Sequence, residues 1–398
     1  MTMQILSLEK VCSRVTSGGT PSRKQPDYYS ADGVGHLWIK SKELLDSSIS
    51  DSEEKISDLG LKKSSAKYVD EGSVLLAMYG ANVGQLGWLK RPGTVNQAIC
   101  SLTVDSAVAN NRWLFYRLLN DRHRLIAMAQ GAAQQNISQA KIKSFQIEVP
   151  SRDVQIRVAS ILSAYDDLIE NNTRRIEILK EMARRLYEEW FVHFRFPGHE
   201  EVRFKESELG RIPEGWEVGT LQDVIVLQRG FDLPVKKRMP GDFPIVSATG
   251  ASGTHVEAKV DGPGVVTGRS GSIGKVRYVH GSYWPLNTTL WGKAFPLGSS
   301  LFAFYTLSAI DLKEFNVGAA VPTLNRNDIH GLLVTIPTKE VVQLFDRMAG
   351  PIHELMAALE KKNVNLRAQR DLLLPKLISG EVDVSDIPMP DNKEVEAA

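Results

Sequence analysis

The chain has 398 residues, room for two or three domains, and its 42% hydrophobic and 24% charged residues are ordinary for a soluble globular protein. A formal net charge of +1 argues against a sequence-blind electrostatic binder of nucleic acid, but it allows one whose basic residues are local. No 18-residue apolar run is present, MTMQILSLEK lacks the shape of a signal peptide, and Cys12 and Cys100 are too few for a disulfide framework; these predict a cytoplasmic protein with no membrane span.

In chain order, SVLLAMY (73–79), QLGWL (85–89) and AICSLTV (98–104) are short apolar runs that read as strands. Asn110–Gln130 has apolar residues at helical spacing behind an Asn cap and predicts one helix. A polar loop, GAAQQNISQA, and a strand, FQIEVP, close this region at Pro150. From 151 to 194 the steps between inward positions alternate four and three: Val158, Leu162, Tyr165, Ile169, Asn172, Ile176, Leu179, Ala183, Leu186 and Trp190. That is the heptad seam of a helix packed lengthwise on another, and its one polar member, Asn172, trades stability for a defined register. FPGHEEVRFKESELGRIPEGW (196–216), rich in Gly, Pro and charge, reads as a linker. GVVTGR (264–269), KVRYV (275–279) and TTLWGKAF (288–295) predict strands, and SSLFAFYTLSAIDLKEF (299–315) predicts a helix.

The second half repeats the first. GAAQQNISQAKIKSFQIEVP lies over GAAVPTLNRNDIHGLLVTIP with Pro150 on Pro337, an offset of 187. The same offset carries the seam onto Phe345, Ala349, Ile352, Met356, Leu359, Asn363, Leu366, Arg370, Leu373 and Leu377, apolar but for Asn363 and Arg370. The unit "mixed domain, then heptad helix" is therefore duplicated. The partner of the first long helix is expected to be its own copy, antiparallel about a pseudo-two-fold axis. Facing Asn172 with Asn363 sets Val158 against Leu377 and Trp190 against Phe345. Gly350–Pro351 predicts a kink or a fresh helix start, and Pro375 a loosened last turn. Roughly 33 helical residues at about 1.5 Å each make a rod of about 50 Å. A rod holding two similar domains suits a long regular ligand, and DNA, with a turn of about 34–36 Å, is a natural candidate.

Chemistry-bearing motifs are absent. GRSGSIGK (268–275) lacks the first Gly of a phosphate loop, where Arg269 stands, and Val276 follows its Lys, so it reads as a turn between strands. His193 and His199 have no companions at ligand spacing, which predicts no metal site. No aminomethyltransferase motif, nucleophile elbow or nuclease core is found. The charges of RRIEILKEMARRLYEE (174–189) balance, as on a solvated coiled-coil face. Four loop clusters combine Gly with side chains that pair with bases and phosphates. The first, SGGTPSRK with IKSK, offers Ser17, Thr20, Ser22, Arg23, Lys40 and Lys42. The second, YGANVGQ with the following NQ, offers Asn82, Gln85, Asn96 and Gln97. QRG with SATGASG offers Arg229, Ser247 and Thr249, and GRSGSIGK with NTT offers Arg269, Ser270, Ser272, Lys275, Asn287 and Thr288. As bare patterns they are equally strand connections.

SGGTPSRKQPDYY with HLWIKSKEL, VPSRDVQIRVASILSAYDDLIENN, LGRIPEGWEVGTLQDV and RDLLLPKLISGEVDV together resemble, from end to end, the specificity subunit of Type I restriction–modification systems. The resemblance implies an α/β chain of the α+β type: target-recognition domains at 1–150 and, with the linker, 197–337, spacer helices at 151–196 and 338–384, and a disordered tail at 385–398. Each domain would read one half of an asymmetric, bipartite site on double-stranded DNA. The helices would set the gap and dock two modification subunits carrying S-adenosylmethionine, and restriction subunits using ATP and Mg²⁺ would join them. This chain would bind no cofactor and have no active site. The competing reading is a coiled-coil scaffold that holds two protein-binding domains and touches no nucleic acid.

Overall fold

The computed structural model describes residues 3–129, 136–318 and 320–389, and the chain divides into two compact units, Met1–Asn171 with Asn363–Ala398, and Asn172–Lys362. Part of the loop expected at 131–140 and the end of the expected tail lie outside the described residues.

In the first unit the main sheet runs in the order Cys12–Ser17, Ile99–Val104, Val74–Ala77, Leu86–Leu89, Ser47–Ile49. Val74–Ala77 and Leu86–Leu89 are buried at every residue, as their unbroken apolar runs require of strands covered on both faces. A smaller sheet pairs His36–Ile39 in parallel with Gly93–Val95, and Gln4–Ser7 pairs with Gln146–Val149. The helix expected over Asn110–Gln130 is two helices, Asn111–Asn120 and Arg122–Ala127. The Asn110 side chain caps the first by accepting from the Trp113 amide at 2.9 Å. The break falls at Asp121, whose buried carboxylate accepts from Arg117 Nε and Arg124 Nη1, both at 2.9 Å, so a salt bridge from either side holds the turn.

The second unit repeats this wiring. Val226–Arg229, Thr289–Ala294, Gly264–Gly268 and Val276–Val279 are ordered as the first four strands above. Glu217–Thr220 pairs with Leu333–Ile336, and Phe243–Ser247 runs parallel to Trp284–Pro285. Its helix Ser300–Ser308 is capped by Ser299, which accepts from the Phe302 amide at 2.8 Å. It ends well short of residue 315, and past its end Asp311 accepts from the Lys313 amide at 3.0 Å in a turn. The expected linker is not one. It holds a hairpin, Phe204–Ser207 with Gly210–Pro213, and its Phe196, Ile212 and Trp216 are buried in the core of this unit. Their apolar surface outweighs the Gly, Pro and charge around them.

The long helices are Arg152–Tyr187, extended by a π-helical turn Glu188–Val192, and Lys339–Ser379. No fresh start occurs at Pro351 and the helix runs unbroken past Pro375. Both prolines are exposed, where water can serve the carbonyl each leaves unpaired, while Phe345, Ala349, His353 and Met356 bury the opposite stripe. All twenty seam positions are buried or half-buried, with Tyr165, Leu179, Leu186, Ile352, Leu366, Arg370 and Leu373 in the second class. Within the first unit Val158 and Leu162 share a core with Leu374, Leu377 and Ile378. Within the second, the Trp190 and Phe345 rings lie 6.1 Å apart and Ile176 packs on Met356 and Leu359. These contacts make the helices antiparallel in each unit. Asn172 and Asn363 are both buried, and Asn363 Nδ2 donates to the Ile169 carbonyl at 3.3 Å.

Candidate nucleic-acid interface

Antiparallel register decides which loops share an edge. In the first unit Ser17 faces Cys100, Ala77 faces Ile99, and Leu86 faces Leu76. The connections at 17–24, 78–85 and 96–98 therefore leave one edge of the sheet. The Gly18 amide donates to the Ile99 carbonyl at 3.2 Å and that of Gly19 to Val95 at 3.0 Å. A Cβ on Gly18 would stand 2.0 Å from the Val95 oxygen, so only glycine fits. The Trp38 indole donates to the Gly19 carbonyl at 3.1 Å, and the Asn96 amide to Ile39 at 2.9 Å, which brings 39–42 alongside. Ser17, Thr20, Lys40, Asn96 and Gln97 are thus gathered, and the Thr20 hydroxyl donates to Gln97 Oε1. Asn82 and Gln85 close the neighbouring hairpin through a 2.9 Å backbone bond.

Three basic residues of this edge, Arg23, Lys40 and Lys42, are paired. Arg23 lies 4.1 Å over the Tyr29 ring and pairs with Glu54 at 2.6 Å. Lys42 pairs with Glu53 at 2.6 Å, and Lys40 reaches Glu53 at 3.2 Å and Glu54 at 3.5 Å. The hydrogen bonds from Lys42 and Arg23 hold the Glu53 and Glu54 carboxyls below their usual range. Ser22 is exposed and accepts from the Lys24 amide at 3.3 Å. Sequence reading missed the two glutamates, for which spacing gives no signal: the tertiary fold brings Glu54 to Arg23 across 31 residues.

In the second unit Arg229 faces Leu290, Gly268 faces Thr289, and Thr267 faces Val276. The loops at 229–232, 269–275 and 286–288 leave the corresponding edge. The Gly230 amide donates to Thr289 at 3.1 Å and that of Phe231 to Pro285 at 2.8 Å. The Arg269 and Ser270 amides both reach the Thr288 carbonyl, at 2.8 and 3.2 Å. Arg269 Nε donates to the Asn287 carbonyl at 3.0 Å, and burial with the Arg229 charge nearby lowers its pKa. Asn287 Nδ2 donates to Asp232 Oδ1. Ser247 and Thr249 sit in a hairpin, their hydroxyls 2.9 Å apart. Arg277 ties that hairpin down by donating to the Ala248 and Thr249 carbonyls at 3.1 and 2.8 Å. Ser272 and Lys275 face the same space as Arg277, Lys313 and Asn316, a 580 Å³ cleft with three cations and no carboxylate among its lining residues. Arg277 and Lys313 were not singled out in the sequence, where one lies inside a strand and the other inside an overlong helix. GRSGSIGK is a turn, with Gly271 and Gly274 at φ 87° and 91°, and it leads into a strand instead of the helix that a phosphate loop opens.

Among the described residues no group of three His, Cys, Asp or Glu could hold a metal ion, and no helix is long and apolar enough to cross a membrane. Cys12 and Cys100 are buried free thiols, each pushed up to about 12 by burial, with little thiolate to react.

The family model for the Type I restriction modification DNA specificity domain matches residues 3–181 and 213–362. The Type I restriction enzyme MjaIX specificity subunit of Methanocaldococcus jannaschii is 26% identical over 406 residues, covering 95% of this chain and 93% of its own. The EcoR124I/EcoR124II specificity subunit of Escherichia coli is 24% identical over 192 residues, 46% of each chain. The crystal structure of the Type I S subunit from M. genitalium aligns over 95% of this chain and 96% of that one, with a TM-score of 0.62 and 16% identity, a likeness of fold. The chain belongs to the Type I restriction–modification specificity family, in which it is a non-catalytic DNA-recognition subunit with two copies of the specificity domain.

Proposed function

We propose that each unit reads one half of a bipartite site in double-stranded DNA and that the two halves differ. The observation that carries this is the pair of equivalent sheet edges with unlike side chains. Where the first unit has Ser17-Gly18-Gly19-Thr20, the second has Arg229-Gly230-Phe231-Asp232, and the turn Tyr79–Gln85 answers to Arg269–Lys275. Equivalent backbones with different donors and acceptors present different patterns to base edges. The cleft of Lys275, Arg277 and Lys313 suits phosphate, which positions the protein without specifying sequence. The candidates at 17–24, 39–42 and 79–97 serve the first half-site, those at 229–288 the second.

The long helices set the gap between half-sites and dock two modification subunits. In support, Ile178 and Met182 on the first helix, among Arg174, Arg175, Glu181 and Arg185, and Met348 and Leu355 on the second are exposed apolar residues. The modification subunits supply S-adenosylmethionine and flip the target adenine, restriction subunits with ATP and Mg²⁺ complete the cytoplasmic complex, and this chain binds no cofactor of its own.

Methylation mapping in a cell carrying this chain and its modification subunit tests the reading. An asymmetric split motif is the expected outcome, and a single palindromic motif overturns the asymmetry. Arg269→Ala should relax one position of one half-site by about 1–3 kcal/mol. An unchanged motif and affinity would remove that turn from the interface.

A further inference from the structure

We infer that Gln97 and Asn287 are equivalent base-reading carboxamides, one per unit, and that Thr20 and Asp232 are positioning residues that set which way each amide faces. This rests on the reading of each unit as a half-site reader and goes further, to named residues and a difference in stringency between the halves.

The equivalence comes from backbone geometry. In both units a glycine just past a strand end crosses onto the neighbouring strand: Gly18 donates to Ile99 at 3.2 Å, Gly230 to Thr289 at 3.1 Å. The next amide then reaches back four residues further along that chain, Gly19 to Val95 at 3.0 Å and Phe231 to Pro285 at 2.8 Å. Neither crossing glycine tolerates a side chain, since a Cβ would stand 2.0 Å from the Val95 oxygen or 2.3 Å from that of Leu286. Two residues after the glycine, Thr20 and Asp232 fall on the carboxamides of Gln97 and Asn287. Sequence alignment hides this, because the partners are Thr with Gln in one unit and Asp with Asn in the other. Thr20, Gln97 and Asp232 are exposed and Asn287 is half-buried, so the pairs are not core contacts.

The chemistry separates the two. A carboxamide presents an acceptor beside a donor, the complement of adenine N6–H and N7, and it reads that edge only in one orientation. An ionised carboxylate accepts and cannot donate. Asp232 therefore takes the Nδ2 end of Asn287 and leaves Oδ1 and the second N–H for a base. Arg269 Nε holds the same residue by donating to its main-chain carbonyl at 3.0 Å. A hydroxyl both donates and accepts, so Thr20 can satisfy either orientation of Gln97. The second unit should thus discriminate more strictly at its position than the first. The charge of Asp232 also repels phosphate, which points this pair toward a base edge and away from the backbone.

The test compares wild type, Asn287→Ala, Gln97→Ala and Asp232→Asn, each in complex with the modification subunit. Methylation mapping is paired with competition titrations against duplexes substituted at every position of the wild-type motif. Asn287→Ala and Gln97→Ala should each lose about tenfold discrimination at one position of their own half-site and leave the other half-site intact. Asp232→Asn, whose amide can donate as well as accept, should relax the Asn287 position alone while nearly keeping affinity for the specific duplex. Unchanged discrimination in all three variants overturns the inference, and so does a uniform loss across all duplexes, the signature of a phosphate contact. A wild-type complex with no sequence preference would instead overturn the half-site reading itself.

Discussion

Arg370 is the charged exception in the copied seam, and its surroundings permit a quantitative test. Its Nη1 donates to Asp166 Oδ1 at 2.5 Å, and the Tyr116 hydroxyl donates to Asp166 Oδ2 at 2.6 Å. The Arg370 and Asp166 side chains are 15% and 24% exposed, and Tyr116 is 1% exposed. Arg370→Met leaves a largely buried carboxylate with one neutral donor. Losing a charge-assisted bond costs about 1.5–3 kcal/mol, and the residual exposure of Asp166 admits water, so about 2 kcal/mol is expected. Asp166→Leu should cost as much, since it strands the Tyr116 hydroxyl. The triple variant Arg370→Met, Asp166→Leu, Tyr116→Phe removes every buried group needing a partner, leaving only Asp371, which also accepts from Arg370 but is exposed to water, and should return to within about 1 kcal/mol of wild type. With two units, one global midpoint is poorly defined, so native-state hydrogen exchange in urea, read on peptides of the first unit, is the assay. If the triple variant is destabilised by the sum of the single losses, the network is not coupled and the argument fails.

Three further outcomes follow from the same contacts. His353, 5% exposed, bonded to the Tyr305 hydroxyl at 2.8 Å and flanked by His280, has its pKa lowered to about 4 by burial and then by the His280 charge. The unfolded chain binds the extra proton first, so this stability is complete above about pH 6.5 and falls by roughly 3 kcal/mol as the pH drops to 4. His353→Phe should flatten that slope in urea titrations of the second unit, and an unaltered slope would place the proton uptake elsewhere. Lys313→Ala and Lys275→Ala should each reduce the slope of log K against log salt by about 1 without changing the motif; a constant slope would take the cleft out of the DNA contact. Deleting residues 173–179 together with 356–362 keeps the seam and removes about 10 Å, close to three base pairs, so mapping should find a changed gap between unchanged half-sites. Loss of a half-site would show that the helices do more than space.

The scaffold reading, open on composition alone, is closed by membership of a DNA-specificity family. The duplication and both long helices were legible in the residues, because a heptad period and a shared offset are properties of the chain itself. The strands at 74–77, 86–89, 99–104 and 264–268 were legible for the same reason, as apolar runs bounded by turns. Helix ends were less so. The Asp121 break depends on Arg117 and Arg124 closing on one buried carboxylate, which periodicity cannot weigh. The linker was misread because Phe196, Ile212 and Trp216 are too widely spaced to look like a core until a hairpin folds them together. The fresh start expected at Pro351 does not occur, since a helix held by a buried stripe tolerates a proline on its wet side. Local pattern determined what the chain repeats and where it is helical. Which side chains meet at the candidate interface was decided only by strand register, which sets Thr20 on Gln97, Asp232 on Asn287 and Arg23 on Glu54 across 77, 55 and 31 residues of chain.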